Sequence, residues 1–287
     1  MIVLSKLKKK KLTAFRPKIR TKHPSHAGLK RNLSLLPFRS IVRLGSTTTI
    51  DDAFPRKTSS QKAKVVELNT VDVAMKSGNK RLTQQILKDA DCKTADMFLF
   101  ADTDISELPY PVIVKHIHGS RGESNYYISS QAELTAWIPG KTLSNYIIEK
   151  YYNFNVEYRL HVSMLGHCFY TCRKMLKNDT PEAERKQRHD ENCSWILETN
   201  PMFDKPDNWN DIVEDCLKAM NAMKADILAF DVKVQSNKTS KGTRRTNPKW
   251  IILESCSAPS FGLVTTEKYL IEIPKVLIKK AIEKFII

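Results

Sequence analysis

Short apolar runs, most of them rich in Val and Ile, alternate with charged segments along this chain, and only a few stretches carry a helical stripe. Ile41, Val42 and Leu44 ahead of Gly45 predict a buried strand at residues 40–46 that turns at the glycine, and residues 65–68 predict a second. Residues 80–90 predict a helix with Leu82, Ile86 and Leu87 on one face. Residues 47–61 read as polar and irregular, and residues 94–108 as a linker. Strands follow at 111–115, 126–128 and 146–148. A short helix at 133–137 sits between them, opened by the capping-box pattern Ser130-Gln131-Ala132-Glu133 and closed by Pro139-Gly140. Residues 156–164 and 168–175 predict a hairpin turning at Leu165-Gly166. Residues 177–192 are highly charged, the pattern of a mobile segment. The clearest helix is 209–223, where Ile212, Val213, Cys216, Leu217, Met220 and Met223 make a stripe that belongs to a core. Strands at 227–234 and 250–253 flank a basic polar insertion at 236–248. From residue 266 an amphipathic segment runs into Pro274, where a break or kink is expected. No repeat is present, and the irregular mixture of strand and helix predicts α+β lobes.

Composition narrows the class. Hydrophobic residues at 41% and charged residues at 27% fit a soluble globular protein. No apolar run reaches the roughly eighteen residues of a membrane span, and the basic opening lacks the apolar core of a secretory signal. Cys92, Cys168, Cys172, Cys193, Cys216 and Cys256 form no paired CxxC. Neither a zinc framework nor a disulfide scaffold is therefore expected, and a reducing compartment, the cytoplasm, is.

The net charge of +16 is concentrated at one end. Residues 1–50 hold thirteen of the 47 Lys and Arg and no acid. Residues 1–37 therefore read as a basic arm, which is a flexible solubilising tail, an attractor of nucleic acid or an acidic partner, or an organelle-targeting peptide. Pro17, Pro24 and Pro37 exclude one continuous helix there. The remaining chain divides into a small N-terminal lobe (38–92), a second lobe (93–150) and a large lobe (151–287).

Chemistry enters at Pro111-Val112-Ile113-Val114-Lys115-His116-Ile117-His118-Gly119-Ser120-Arg121-Gly122-Glu123. A strand ending in a lysine runs into a small glycine loop, a way to offer a cation and backbone N–H groups to a polyphosphate. The same pattern also suits an ordinary hairpin with an exposed lysine. Glu149-Lys150-Tyr151-Tyr152 follows an apolar pair and can read an adenine edge with its backbone. Glu157 and Arg159 share one strand face, placed for ribose hydroxyls or simply as alternating surface charges. Asp231 lies inside an apolar strand and Glu254 ends another. Carboxylates so placed need a partner or a metal, and oxygen ligands of this kind suit Mg²⁺. The plainer alternative pairs them with Lys233 or Lys174. His116 and His118 alternate on a strand and form no metal motif.

Taken in order, these motifs resemble the ATP-grasp superfamily over roughly residues 41–262. The resemblance implies two α+β lobes sandwiching ATP, preceded by a small α/β lobe and the basic arm. It implies phosphate contacts from Lys80, Lys115, Lys174 and the loop at Gly119, Ser120 and Gly122. It implies an adenine hinge at Glu149, Lys150 and Tyr151, ribose binding by Glu157, and Mg²⁺ on Asp231 and Glu254. The implied activity is an ATP-dependent carboxylate–amine ligase working through an acyl phosphate, with small-molecule, peptide or protein substrates. Arg159 and Arg43 are the expected holders of acyl phosphate and substrate carboxylate, since guanidinium binds both bidentately. Residues 177–192 would then be a lid. Within the superfamily, Val42-Arg43-Leu44-Gly45-Ser46-Thr47-Thr48 and the compact first lobe resemble small bacteriophage-encoded members, which implies a host cytoplasm. One position departs: the third metal ligand, usually Asn, is Cys256, and a thiol is a poor Mg²⁺ ligand. That departure keeps open a nucleotide-binding scaffold without turnover, and the arm keeps open a nucleic-acid binder.

Overall fold

The computed structural model describes residues 2–5, 38–119, 124–186, 191–259 and 262–285. Three sheets organise the chain. The first is parallel, in the order β1 (Ile2–Ser5), β2 (Ser40–Leu44), β3 (Val66–Leu68). The basic arm thus opens with a strand paired to β2, which corrects the expectation of an arm free along residues 1–37. Its residues 6–37 lie outside the described residues.

Two short helices, α1 (Ile50–Ala53) and α2 (Ser59–Ala63), occupy the stretch expected to be irregular. Each starts at a reciprocal capping box, Thr49 with Asp52 and Thr58 with Gln61, which satisfies N–H groups that a four- or five-residue helix otherwise leaves open. Helix α3 (Val71–Ser77) follows, capped by Thr70, and α4 (Lys80–Asp89) begins at its N-cap Asn79.

The second sheet is antiparallel, in the order β4 (Met97–Phe98), β7 (Tyr146–Lys150), β5 (Val112–His116), β6 (Asn125–Ile128). Helix α5 (Gln131–Trp137) covers it, burying Leu134 among Val112, Val114, Ile128 and Ile148. The third sheet has five antiparallel strands in the order β10 (Cys193–Leu197), β9 (His167–Leu176), β8 (Val156–Ser163), β11 (Ile227–Val234), β12 (Trp250–Cys256). Gly166, at φ +84°, makes the turn between β8 and β9. One face of this sheet packs on α6 (Trp209–Ala222). Tyr158, Leu160, Phe230, Val232 and Ile252 meet Ile212, Cys216 and Met220 in the largest core.

The last helix, α7 (Leu263–Phe285), continues through Pro274 without a break. Tyr269 and Ile273 before the proline, and Val276 and Leu277 after it, are all buried against Val42, Leu44, Val66 and Leu68. Packing on both sides offsets the one backbone hydrogen bond that proline removes. The C-terminal helix therefore completes the core of the first sheet, although it follows the large lobe in sequence.

Candidate active site

The opposite face of the five-stranded sheet is polar, and its register explains why. In antiparallel strands, directly paired residues share a face. Trp195, Lys174, Glu157, Lys233 and Ile251 form one row from β10 to β12. Leu197, Cys172, Arg159, Asp231 and Glu254 form the next. Simple alternation from Ile251 would put Glu254 on the core side, opposite Phe230. A β-bulge prevents this. Asp231 pairs with Glu254 while Val232 pairs with Ile252, so Leu253 is an extra residue and Glu254 turns to the polar face.

This face, the second sheet and the start of α4 enclose a cleft of about 1030 Å³. Its described lining contains Lys80, Lys115, Gly119, Glu149, Lys150, Tyr151, Glu157, Arg159, Lys174, Asp231, Glu254 and Cys256. Each of these was expected at the site. Ser120 and Gly122 lie outside the described residues.

Cations and acids in the cleft are paired across strands or lobes. Lys115 Nζ lies 2.5 Å from Glu149 Oε2, one diagonal step away on the neighbouring strand, and both are buried. Glu149 Oε1 is buried without a partner among the described residues. Lys174 Nζ lies 3.5 Å from Glu157. Burial opposes the charge on Lys174, but Glu157 and then Asp231 outweigh it and hold the pKa above its ordinary value. Arg159 donates from Nε to Asp231 Oδ1 at 2.6 Å and from Nη2 to Oδ2 at 2.8 Å. Burial likewise opposes ionisation of Asp231, and Arg159 overcomes it, holding the carboxyl below its usual range. The Arg159 guanidinium also stacks 4.5 Å from the ring centre of Trp195.

Helix α4 joins the lobes. Lys80 Nζ donates to the Gly119 carbonyl of the glycine loop and lies 3.2 Å from Glu254 Oε2. Its backbone N–H donates to Ile117 O at 2.8 Å, and His118 Nδ1 lies 2.8 Å from Gly78 O. Gln84 reaches Leu253 O at 2.6 Å, tying α4 to the bulge. At the hinge, Lys150 N–H is taken by Asp96 O and Tyr151 N–H by Pro111 O. The adenine-reading donors expected at those two positions are therefore already engaged. From the charged segment, Lys186 lines the cleft with its ammonium 4.7 Å from the ring centre of Tyr127.

Arg43 does not belong to the site. It is fully buried and donates to Thr48 O at 3.0 and 2.8 Å, to Asn69 O at 3.2 Å, and to Glu67. All three guanidinium nitrogens donate to the first sheet's strand β3 and loops, and Arg43 is not among the described residues that line the cleft, so it does not hold a substrate carboxylate there.

The proposed metal trio fits a divalent cation only in part. Glu254 lies within hydrogen-bonding reach of Asp231, and its side chain is 37% exposed. Both Asp231 oxygens accept from Arg159, however. Burial pushes the Cys256 thiol up, which leaves it protonated and a poor ligand. Among the described residues, no three His, Cys, Asp or Glu side chains gather to hold a metal ion. Nor is any described helix long and apolar enough to cross a membrane.

Lys233 and Trp195 are among the cleft residues missed as site candidates. Lys233 was weighed only as an ion-pair partner for the strand acids, yet it sits beside Glu157 in the first row with its ammonium 5.2 Å from Tyr151. Its two-residue spacing from Asp231 was the available signal. Trp195 lies on β10, a strand hidden behind the charged run that precedes it.

No family model and no curated protein sequence matches the chain. Solved structures do. The chain is similar to carboxyaminoimidazole ribonucleotide synthase from Aspergillus clavatus complexed with ATP, at 12% identity and TM-score 0.58, over 83% of this chain and 60% of that one. It is similar to D-alanine–D-alanine ligase from Bacillus anthracis, at 13% identity and TM-score 0.58, over 90% and 83%. It is similar to N5-carboxyaminoimidazole synthetase from Staphylococcus aureus complexed with ADP, at 12% and TM-score 0.60, over 87% and 74%. The chain thus spans three fifths of the Aspergillus enzyme's length. The fold is the α+β ATP-grasp fold that the motif order implied. None of these three structures comes from a bacteriophage, so they lend that part of the resemblance no support.

Proposed function

We propose that this chain binds ATP in the cleft and joins a carboxylate to an amine. The observation that carries the reading is the convergence of Lys80, Lys115, Lys174 and Arg159 with Glu149, Glu157, Asp231 and Glu254 around one cleft, between two sheets of an ATP-grasp fold. Adenine belongs at Glu149, whose unpartnered buried oxygen needs an N–H donor and finds one in the exocyclic amine. Glu157 is placed to accept from ribose hydroxyls. Lys115, Lys80 and Lys174 face the phosphates as fixed charges, and the Gly119 loop approaches them with backbone.

In the reaction, a substrate carboxylate oxygen attacks the γ-phosphorus and ADP leaves with the electron pair of the broken P–O bond. An amine then attacks the acyl carbon, a proton is lost from nitrogen, and inorganic phosphate departs. Lysines around the γ-phosphoryl stabilise the charge that develops in the first step, and Arg159 is the proposed holder of the substrate carboxylate and acyl phosphate. A divalent cation, held at Glu254, would supply further charge neutralisation at the phosphates when bound. The charged segment carrying Lys186 is the candidate lid that excludes water from the acyl phosphate. Cytoplasmic location and the bacteriophage likeness belong to this same reading.

The test is ADP release with ATP and Mg²⁺ across free amino acids, peptides and acidic proteins. Substrate-dependent ADP supports the ligase. Nucleotide binding with no turnover on any substrate supports a scaffold instead, which a thiol at Cys256, a poor Mg²⁺ ligand, favours. The basic arm is proposed to recruit an acidic partner or nucleic acid, and such binding should weaken steeply with salt.

A further inference from the structure

Among the described residues, seven cations line the cleft, Lys80, Lys115, Lys150, Arg159, Lys174, Lys186 and Lys233, against four carboxylates, Glu149, Glu157, Asp231 and Glu254. The cleft is built to hold an anion with side-chain charge. At its acidic end the two carboxylates are not equivalent. Asp231 is buried, and both its oxygens are used by a bidentate guanidinium at 2.6 and 2.8 Å. That guanidinium is itself fixed from the other side by the Trp195 ring. Arg159 and Asp231 are direct cross-strand partners, so the pair is held by sheet register and not by a mobile side chain. Glu254 is different. It stands on the rim beyond a bulge, within hydrogen-bonding reach of Asp231, and its ion-pair partner is the ammonium of Lys80, 3.2 Å away on another lobe.

From this asymmetry we infer that Arg159 is a built-in cation that takes Asp231 out of metal binding, so that the cleft holds one divalent ion per nucleotide, on Glu254 alone. Separating Arg159 from Asp231 leaves two buried ions to be re-paired, a cost that one Mg²⁺ or Mn²⁺ on a partly occupied carboxylate does not recover. Releasing Glu254 asks less. Lys80 turns to the incoming phosphates, which its ammonium pairs with as a point charge, and the exposed carboxylate is freed for the metal. The cation therefore arrives with the nucleotide and binds poorly without it. Asp231 is a positioning residue: it orients the guanidinium that faces the reacting groups.

The inference rests on the reading of the cleft as a nucleotide site, and one titration separates the two. Mn²⁺ is titrated by electron paramagnetic resonance against the full chain with saturating AMP-PNP, while nucleotide binding is followed independently with and without Mn²⁺. One Mn²⁺ per bound nucleotide is expected. Asp231→Asn should leave its affinity within about threefold, whereas Glu254→Gln should weaken it about tenfold or more. Arg159→Met, by uncovering Asp231, should add a second ion. Two Mn²⁺ per nucleotide in the unaltered chain overturn the inference and leave the nucleotide site standing, as does an Asp231→Asn loss equal to that of Glu254→Gln. No nucleotide binding under either condition removes both. The unaltered chain and Glu254→Gln, on the exposed rim, keep the test decisive should either buried-pair variant fail to fold.

Discussion

The two faces of the five-stranded sheet are made by the same strands, one residue apart, and they differ in everything but backbone. Tyr158, Leu160, Phe230 and Val232 point to α6 and are fully buried among hydrocarbon. Glu157, Arg159, Asp231 and Lys233, their immediate neighbours in sequence, point to the cleft and are held by ion pairs and register. The first face supplies stability through area removed from water. The second spends some of that stability, because charges in a low-dielectric cleft are costly even when paired. Chemistry and folding are thereby kept on separate sides of one structural element, and the bulge that takes Leu253 out of the pairing decides on which side Glu254 falls.

Removing the guanidinium should disturb the polar face most severely. Arg159→Met leaves the Asp231 carboxylate buried and unpaired, which costs about 3–5 kcal/mol. Urea unfolding of the metal-free chain should show that loss. An unchanged midpoint would mean that Asp231 does not depend on Arg159.

A pair of variants sharpens the contrast. Phe230→Ala should lower stability by about 3–5 kcal/mol through the cavity it leaves. The fraction that remains folded should keep its nucleotide affinity. Lys115→Ala should do the reverse in emphasis: ATP affinity falls at least about tenfold, since a charge-assisted phosphate contact is worth more than about 1.4 kcal/mol. Its stability cost comes from leaving Glu149 buried and alone. Equal effects of the two variants on binding and on folding would show that the faces are not independent.

The last effect is one of pH and is absent at neutral pH. His161 lies on the polar face but is sealed by Tyr269, whose hydroxyl is 2.9 Å from Nδ1, and by Phe169 and Tyr170. Burial, with Arg159 nearby, pulls its pKa down to about 3. An unfolded histidine takes up its proton near pH 6.5, so below that value the unfolded chain binds a proton that the folded chain refuses. This contribution to stability is complete above about pH 6.5 and is lost as pH falls toward 3, with a slope of up to about 1.4 kcal/mol per pH unit. Replacing His161 with Gln should remove that part of the slope in melting curves taken between pH 4 and 7. An unaltered slope would show that the buried imidazole is not its source.

Much of this molecule was legible in one dimension. Alternation placed the hairpin at residues 156–175, and the 3.6-residue period placed α6, because both patterns are local consequences of which face meets the core. Motif order marked out Lys80, Lys115, Glu157, Asp231 and Glu254, which fold into one cleft. The helices α1 and α2 were also written in the chain, as Thr49 with Asp52 and Thr58 with Gln61, but a capping box without an apolar stripe is easily read as a loop.

Arg43 and Arg159 mark where that legibility ends. Each is a lone arginine among apolar residues of a strand. One donates to two loop carbonyls and Glu67 away from the cleft, and the other clasps Asp231 at the cleft. The sequence by itself determined the periodicity of each element and the chemical character of the site, since those depend on neighbours along the chain. Tertiary structure alone decided which charge meets which partner, because strand register, a one-residue bulge and the approach of α4 bring together groups more than seventy residues apart, and an ion pair exists only at that closing distance.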